Sequence, residues 1–146
     1  MKKAVIILPT YNEAKNIEKM IQQIFDVAST IPNWSIHVVV VDSSSPDGTG
    51  MIVEELMKHT NKYRDLHLLK TRKEGLGRAY IEGFSYAIEK IKPFLLFEMD
   101  SDLSHNPKDI PHFLKKIEEG ADFVVGSRYI PGGSIPANWP IQRKIL

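Results

Sequence analysis

The sequence predicts an α/β domain of the doubly wound kind, a mostly parallel sheet with helices on both faces. Three observations predict it. Short β-branched runs alternate with longer stretches whose apolar residues recur at helical spacing, the pattern of repeated strand-helix-strand units. The run Val38-Val39-Val40-Val41 is apolar without alternation, as a central parallel strand covered on both faces has to be. Finally, 146 residues, 42% hydrophobic and 25% charged, suffice for one core that buries roughly 68 to 70% of the unfolded chain's surface. One domain over residues 1–146 is expected.

The first strand is expected over residues 3–8. A helix over 13–29 follows, because Ile17, Met20, Ile21, Ile24, Phe25 and Ala28 fall on one stripe, with Asn12 placed to cap it. The valine strand covers 35–41, with Trp34 as an apolar plug before it. Asp47 is positioned to cap a second helix whose apolar side is Ile52, Val53, Leu56 and Met57. A third strand at 65–70 leads to a helix that places Ile81, Phe84, Ile88 and Ile91 on one face, and the fourth strand is 94–99. Asn106 and Pro107 suit the cap and first position of the next helix, Ile110, Phe113, Leu114 and Ile117 its buried stripe, and Gly120 its end. Residues 122–127 read as a fifth strand. Past Arg128, Pro131, Gly132, Gly133, Pro136 and Pro140 impose a loop. Residues 141–146 open an amphipathic helix that stops short of two turns, so the domain is expected to continue past Leu146. Trp139 beside Arg143 and Lys144 is an aromatic and basic set of the kind that meets a bilayer interface.

Several classes of function drop out. With 19 Lys and Arg against 18 Asp and Glu there is no field to draw the chain onto a nucleic acid, and no local basic stripe replaces it. Zero cysteines removes disulfides, thiolate metal sites and cysteine nucleophiles. The apolar runs at 4–9 and 93–97 are far shorter than the roughly 18 to 20 residues that cross a bilayer, and Met1-Lys2-Lys3 leads into a strand rather than a signal peptide. No G-x-G-x-x-G follows the first strand and no G-K-[ST] occurs, which argues against dinucleotide and P-loop chemistry.

In a doubly wound sheet the ligand lies outside the carboxyl ends of the strands, at the crevice where strand order reverses. Strand one runs into Pro9-Thr10-Tyr11-Asn12-Glu13, strand two into Asp42-Ser43-Ser44-Ser45-Pro46-Asp47, strand four into Asp100-Ser101-Asp102 and strand five into Arg128. With the order 3-2-1-4, Asp100 and Asp102 face the Pro9 to Glu13 turn across that crevice. Two apart on an extended segment, their carboxylates project to one side and suit Mg²⁺ or Mn²⁺, which take further ligands from diphosphate oxygens. The plainer alternative is that Asp102 or Ser104 shapes a turn before Asn106. Tyr11 and Glu13 either flank a nucleoside, or Glu13 is a favourable acid in a helix's first turn. Asp42 is either a carboxylate at the site edge or the acceptor of an Asx turn with Ser44 or Ser45. Arg128 either grips a phosphate or pairs with a nearby aspartate. Gly75-Leu76-Gly77 allows close backbone approach, and His105 is placed to support the acids rather than to ligate.

Six motifs occur in order. They are Pro9-Thr10-Tyr11-Asn12-Glu13, Val41-Asp42-x-x-Ser45-Pro46-Asp47-Gly48-Thr49, Gly75-Leu76-Gly77-x-Ala79-Tyr80, Met99-Asp100-x-Asp102-Leu103-Ser104-His105-x-Pro107, Gly126-Ser127-Arg128-Tyr129 and Asn138-Trp139-Pro140. Together they resemble the family 2 glycosyltransferases, and among these most the dolichol-phosphate mannose synthases. The resemblance implies a GT-A fold, with this chain as its Rossmann-like half that binds the sugar nucleotide. It implies that Pro9, Tyr11, Glu13, Val41, Asp42 and Ser43 line the nucleotide site. Asp100, Ser101, Asp102 and Ser104 would surround metal and diphosphate, the metal held by Asp100, Asp102 and Ser104, and Arg128 would meet phosphate near the acceptor.

The implied reaction is inverting transfer of mannose from GDP-mannose to dolichyl or another polyprenyl phosphate, with Asp100, Asp102 and Arg128 as the catalytic groups. The implied cofactor is Mg²⁺ or Mn²⁺, and the implied location is the cytoplasmic face of a membrane, held peripherally. Two departures accompany the resemblance. Ser43 stands where many relatives carry a second acid, and the family's catalytic domain extends beyond position 146. A UDP-sugar donor, with polyprenyl phosphate or a hydroxyl as acceptor, is the nearest alternative. A phosphatase with Asp100 as nucleophile, or a phospho-receiver domain, is the alternative of another class, but each wants its acids at the end of the first strand.

Overall fold

The β-branched runs pair as parallel strands. In the computed structural model, which describes residues 1–135, β1 (Lys2–Thr10), β2 (Trp34–Asp42), β3 (Leu66–Lys70) and β4 (Leu95–Glu98) form one sheet in the order β3-β2-β1-β4. This is the order expected from right-handed crossovers. The register runs Lys2 opposite Trp34 to Thr10 opposite Asp42, and Ala4 to Ile7 opposite Leu95 to Glu98. β1 thus extends two residues past the expected end, carrying Pro9 and Thr10 into the sheet's carboxyl edge. The readings at Pro136, Asn138, Trp139, Pro140, Arg143, Lys144 and residues 141–146 lie outside the described residues.

The chain divides into two compact units, Met1–Pro111 and a second that starts at His112. In the first, α1 (Ile17–Ala28) buries Ile17, Met20, Ile21, Ile24 and Phe25, the expected stripe. It begins four residues later than expected. Asn12 sits at φ +60 outside the helix, and the turn from 12 to 16 is organised by the neighbouring loop instead of by an Asn12 cap. α2 (Thr49–Met57) and the short α3 (Thr60–Tyr63) follow β2. Val53 and Leu56 point inward, and the edge-to-face pair Phe25 and Tyr63 lies 5.2 Å apart.

α4 (Leu76–Tyr86), continued by a π turn at Ala87–Ile91, covers the other face of the sheet. Its buried stripe matches the expected one at Ile91 and Phe84, which packs against the core, and departs from it at Ile81 and Ile88. Ala79, Gly83, Ala87 and Ile91 face Val5, Ile7, Val39 and Val41, while Ile81 and Ile88 are 58% and 57% exposed. Small side chains let the helix lie directly on the strands. A Cβ at Gly83 would stand 2.6 Å from Ile7 Cγ2 and 3.0 Å from Val41 Cγ2, which no packed core tolerates. Burial of large apolar residues is the rule that misleads here, because backbone approach outweighed side-chain size.

Asn106 accepts the Lys108 amide and opens a 3₁₀ turn at Pro107–Asp109, as its sequence suggests. α5 (Ile110–Glu118) begins in the first unit and ends in the second. Gly120, at φ +103, donates its amide to Ile117 O and closes the helix as expected. The fifth strand expected at 122–127 is not formed: the described sheet has four strands, with Phe123 and Val125 84% and 70% exposed. A β-branched run becomes a strand only where a neighbour takes up its backbone N–H and C=O groups, and 122–127 has no such partner among the described residues.

Candidate functional site

The carboxyl edge of the sheet collects the site. Thr10, the last residue of β1, is buried and donates its hydroxyl to Val41 O at 3.3 Å and to Asp42 Oδ1 at 3.4 Å. Its carbonyl accepts the Ser43 amide at 3.0 Å, which ties the ends of β1 and β2 together beyond the ladder. Asp42 Oδ1 also accepts the amide and hydroxyl of Ser45. Ser45 Oγ in turn accepts the Asn12 amide at 3.0 Å. The next two amides are taken the same way, Glu13 N by Thr49 Oγ1 and Ala14 N by Asp47 Oδ2, each at 3.0 Å. The amides of the turn before α1 are therefore taken up by side chains of Ser45, Asp47 and Thr49, from the end of β2 to the start of α2.

Gly48, at φ +91, takes the cap position of α2 expected for Asp47, which stands one residue earlier, accepts the amide and hydroxyl of Thr49 and so still braces the helix start together with the turn before α1. The Thr49 hydroxyl and then the Ala14 amide hold the Asp47 carboxyl below the usual carboxylate range. Asp42 and Asp47 are both committed to the protein's own donors.

Above this braced edge lies a cleft of about 160 Å³. Pro9, Thr10, Tyr11 and Ser43 line it from the ends of β1 and β2, and Lys73, Gly75, Leu76 and Ala79 from the loop after β3 and the start of α4. The Lys73 ammonium rests 3.5 Å from the centroid of the Tyr11 ring, an electrostatic contact with its π face. Of the expected nucleotide residues, Pro9, Tyr11 and Ser43 line the cleft. Val41 does not present its side chain there, since it packs beneath α4 in the core. Glu13 stands half-buried beside the cleft, where its Oε2 accepts Asn16 Nδ2 at 2.9 Å.

β4 ends at Glu98, and Met99 makes the last backbone bond to β1, N to Ile7 O at 3.2 Å. The segment bends at 101–103, directly after Asp100, instead of staying extended as expected, and Leu103 stands at φ +66. The reason is the intervening Ser101. Its side chain is buried and donates to Pro9 O at 2.9 Å, stapling the bend to the cleft wall while Asp100 and Asp102 stay accessible. Asp102 Oδ1 accepts the Ser104 amide at 2.9 Å, so the turn-shaping role foreseen for Asp102 and Ser104 is present. Partial burial opposes ionisation of Asp102, but the hydroxyl and amide of Ser104 and the nearby His105 outweigh it and hold the carboxyl below its usual range.

Two contacts to Asp100 come from residues given no site role by sequence reasoning or only a supporting one. Tyr80 on α4 donates its phenol to Asp100 Oδ1 at 3.4 Å. His105 accepts the Asp100 amide on Nδ1 at 3.0 Å and faces Oδ2 with Nε2 at 3.7 Å. Lys73 has no place in the sequence reading of the site, and Leu76 and Ala79 enter it only as part of the Gly75 to Tyr80 motif, yet all three line the cleft. The signal was a basic residue two positions before Gly75 in a loop at the same sheet edge. Arg128 belongs to the second unit.

The family model described as Glycosyl transferase family 2 matches residues 5–145. The chain belongs to that family. Among curated relatives of this family 2 glycosyltransferase, the polyprenol monophosphomannose synthase of Mycolicibacterium smegmatis is 37% identical over 145 residues, 99% of this chain and 51% of the relative. The undecaprenyl-phosphate mannosyltransferase of Micrococcus luteus is 38% identical over 144 residues, 99% of this chain and 55% of the relative. The chain spans about half the length of these two relatives.

Solved structures agree on the fold. TarS of S. aureus (residues 1–349) in complex with UDP-GlcNAc superposes with TM-score 0.60 at 28% identity, over 82% of this chain and 32% of that one. The mannosyltransferase PcManGT from Pyrobaculum calidifontis, in complex with GDP-Man and Mn²⁺, gives TM-score 0.55 at 27% identity, over 73% and 29%. The doubly wound sheet and the family resemblance expected from the sequence are thereby both borne out. The phosphatase and receiver readings fall with them.

Proposed function

We propose that this family 2 chain is the nucleotide-sugar-binding part of an inverting mannosyltransferase that moves mannose from GDP-mannose to a polyprenyl phosphate. The observation that carries the reading is the staple from Ser101 to Pro9, which sets an exposed pair of acids against the wall of a cleft lined by Tyr11, Ser43 and Lys73. Relatives named for polyprenol, undecaprenyl and dolichol phosphate mannose transfer support the sugar and the acceptor. The neighbour complexed with GDP-Man and Mn²⁺ supports the donor.

The donor set fits Mg²⁺ or Mn²⁺. Asp100 and Asp102 are hard carboxylates with lone pairs to spare, and Asp102 is kept ionised by Ser104. Among the described residues no group of three or more His, Cys, Asp or Glu side chains is arranged to hold an ion. An ion at Asp100 and Asp102, with Ser104 behind them, would therefore take its remaining ligands from water and donor phosphates, as Mg²⁺ does in nucleotide sites. Bound there it would supply Lewis-acid charge to the departing diphosphate.

In this reading Tyr11 and Lys73 receive the nucleoside, with Glu13, Val41, Asp42 and Ser43 shaping that end. Arg128 meets phosphate near the acceptor. The acceptor phosphate, with a second pKa near 6, is largely a dianion at neutral pH and already nucleophilic. Its oxygen attacks the sugar's anomeric carbon as the bond to the diphosphate oxygen breaks on the opposite face, so configuration inverts and no side chain has to remove a proton. Positioning and preorganised charge carry the acceleration.

No helix among the described residues is long and apolar enough to cross a membrane. A lipid-linked acceptor implies contact with a membrane, which in this reading is peripheral and on its cytoplasmic face. The UDP-GlcNAc complex of TarS favours a second reading, a UDP-sugar donor in the same cleft. Calorimetric titration of the chain with GDP, UDP, GDP-mannose and UDP-glucose, with and without Mn²⁺, tests both. Metal-dependent binding with guanine preferred is expected. A uracil preference would establish the second reading, and indifference to all four ligands and to Mn²⁺ would end both.

A further inference from the structure

We infer that Tyr80 and His105 are positioning residues that clamp the Asp100 carboxylate from both sides and so set its affinity for the divalent ion. The inference rests on the metal-assisted reading of the site. Asp100 follows Met99, whose amide makes the last backbone bond to β1, and its own amide would be left without a partner there. The His105 ring takes that amide on Nδ1 at 3.0 Å. With Nδ1 accepting, the ring proton sits on Nε2, which faces Asp100 Oδ2 at 3.7 Å. On the other oxygen, Tyr80 donates to Oδ1 at 3.4 Å.

A hydrogen bond on one oxygen and an imidazole N–H facing the other at 3.7 Å leave lone pairs on each free, which is what a carboxylate needs to be oriented and still ligate. Tyr80 is suited to the task. Its ring is stacked on Phe84 at 5.9 Å and packs against the core under α4, so the hydroxyl has little freedom. Its neighbour Ala79 lines the cleft, so a single helix fixes both the nucleotide wall and the carboxylate.

The test is a Mn²⁺ titration of the 146-residue chain with GDP present, read by the electron paramagnetic resonance signal of free Mn²⁺. Tyr80→Phe keeps the ring and its stack and removes only the O–H. His105→Asn keeps an acceptor near the Nδ1 position and removes the donor that faces Oδ2. Each is expected to weaken Mn²⁺ binding about 10-fold. Metal-free GDP affinity and the melting temperature should stay at wild-type values, and Asp100→Asn should abolish the Mn²⁺ response. If Asp100→Asn abolishes it while Tyr80→Phe and His105→Asn titrate like wild type, the clamp is wrong and the metal reading stands. A wild-type chain indifferent to Mn²⁺ overturns the reading and the clamp together.

Discussion

Two aspartate pairs stand at the same edge of the same sheet and are used in opposite ways. After β2, Asp42 is 4% exposed and accepts from Thr10 and twice from Ser45, and a Cβ at Gly50 would stand 2.9 Å from its Oδ2. Asp47 accepts from Thr49 and Ala14. After β4, Asp100 has a phenol at 3.4 Å and an imidazole at 3.7 Å, and its side chain remains 44% exposed. Acids saturated by the protein's own donors hold loops together. Acids oriented but unsaturated retain the capacity to bind a cation from outside.

The sharpest way to break this comparison is to neutralise one pair at a time. Asp100→Asn together with Asp102→Asn should abolish Mn²⁺ binding in the presence of GDP, a loss of on the order of 100-fold or more, since direct ligands matter at least as much as the groups that orient them. Stability to urea should move by no more than about 0.5 kcal/mol, as for other surface changes. Asp42→Ala should do the reverse. Removing this buried acceptor leaves the Thr10 and Ser45 donors unpaired and should lower unfolding free energy by about 2 to 3 kcal/mol in urea titrations. If Asp42→Ala is neutral and the Asp100/Asp102 change unfolds the chain, the contrast is inverted.

Ser101 sharpens the comparison because it is the buried tether of the exposed pair. Ser101→Ala should cost about 1 kcal/mol in the same titration, and it should weaken Mn²⁺ binding if the staple to Pro9 positions the bend. The smallest effect belongs to Asp47. Its folded pKa lies below the ordinary carboxylate value, so its contribution is fully present above the unfolded pKa and is lost as pH falls through the folded one. The gap in urea midpoint between wild type and Asp47→Asn should therefore be constant at neutral pH and close below about pH 4. A gap that widens on acidification would contradict the hydrogen bonds seen.

Legibility varied along the chain for physical reasons. Strand order, the α1 stripe and the Asn106 cap were readable because each depends on local propensity or on crossover handedness. The α4 face was misread because Ile81 and Ile88 out-compete Ala79, Gly83 and Ala87 on hydrophobicity, while the sheet selected the smaller residues for their fit. The bend at 101–103 was read as extended because nothing local says that Ser101 will turn inward to Pro9, 92 positions away. Asn12 was read as a cap because its type is right, yet Ser45, Thr49 and Asp47 supply the acceptors from another loop.

What the amino-acid order determined by itself is the alternation of strands and helices, the parallel sheet that follows from it, and the gathering of acids and hydroxyls at one strand edge. Periodicity and chain connectivity suffice for that. Which of those acids stays open to a cation, and which wall the cleft acquires from Lys73 to Ala79, was decided only in three dimensions. A carboxylate's role depends on how many donors reach it, and here those donors come from strands and helices far away in sequence.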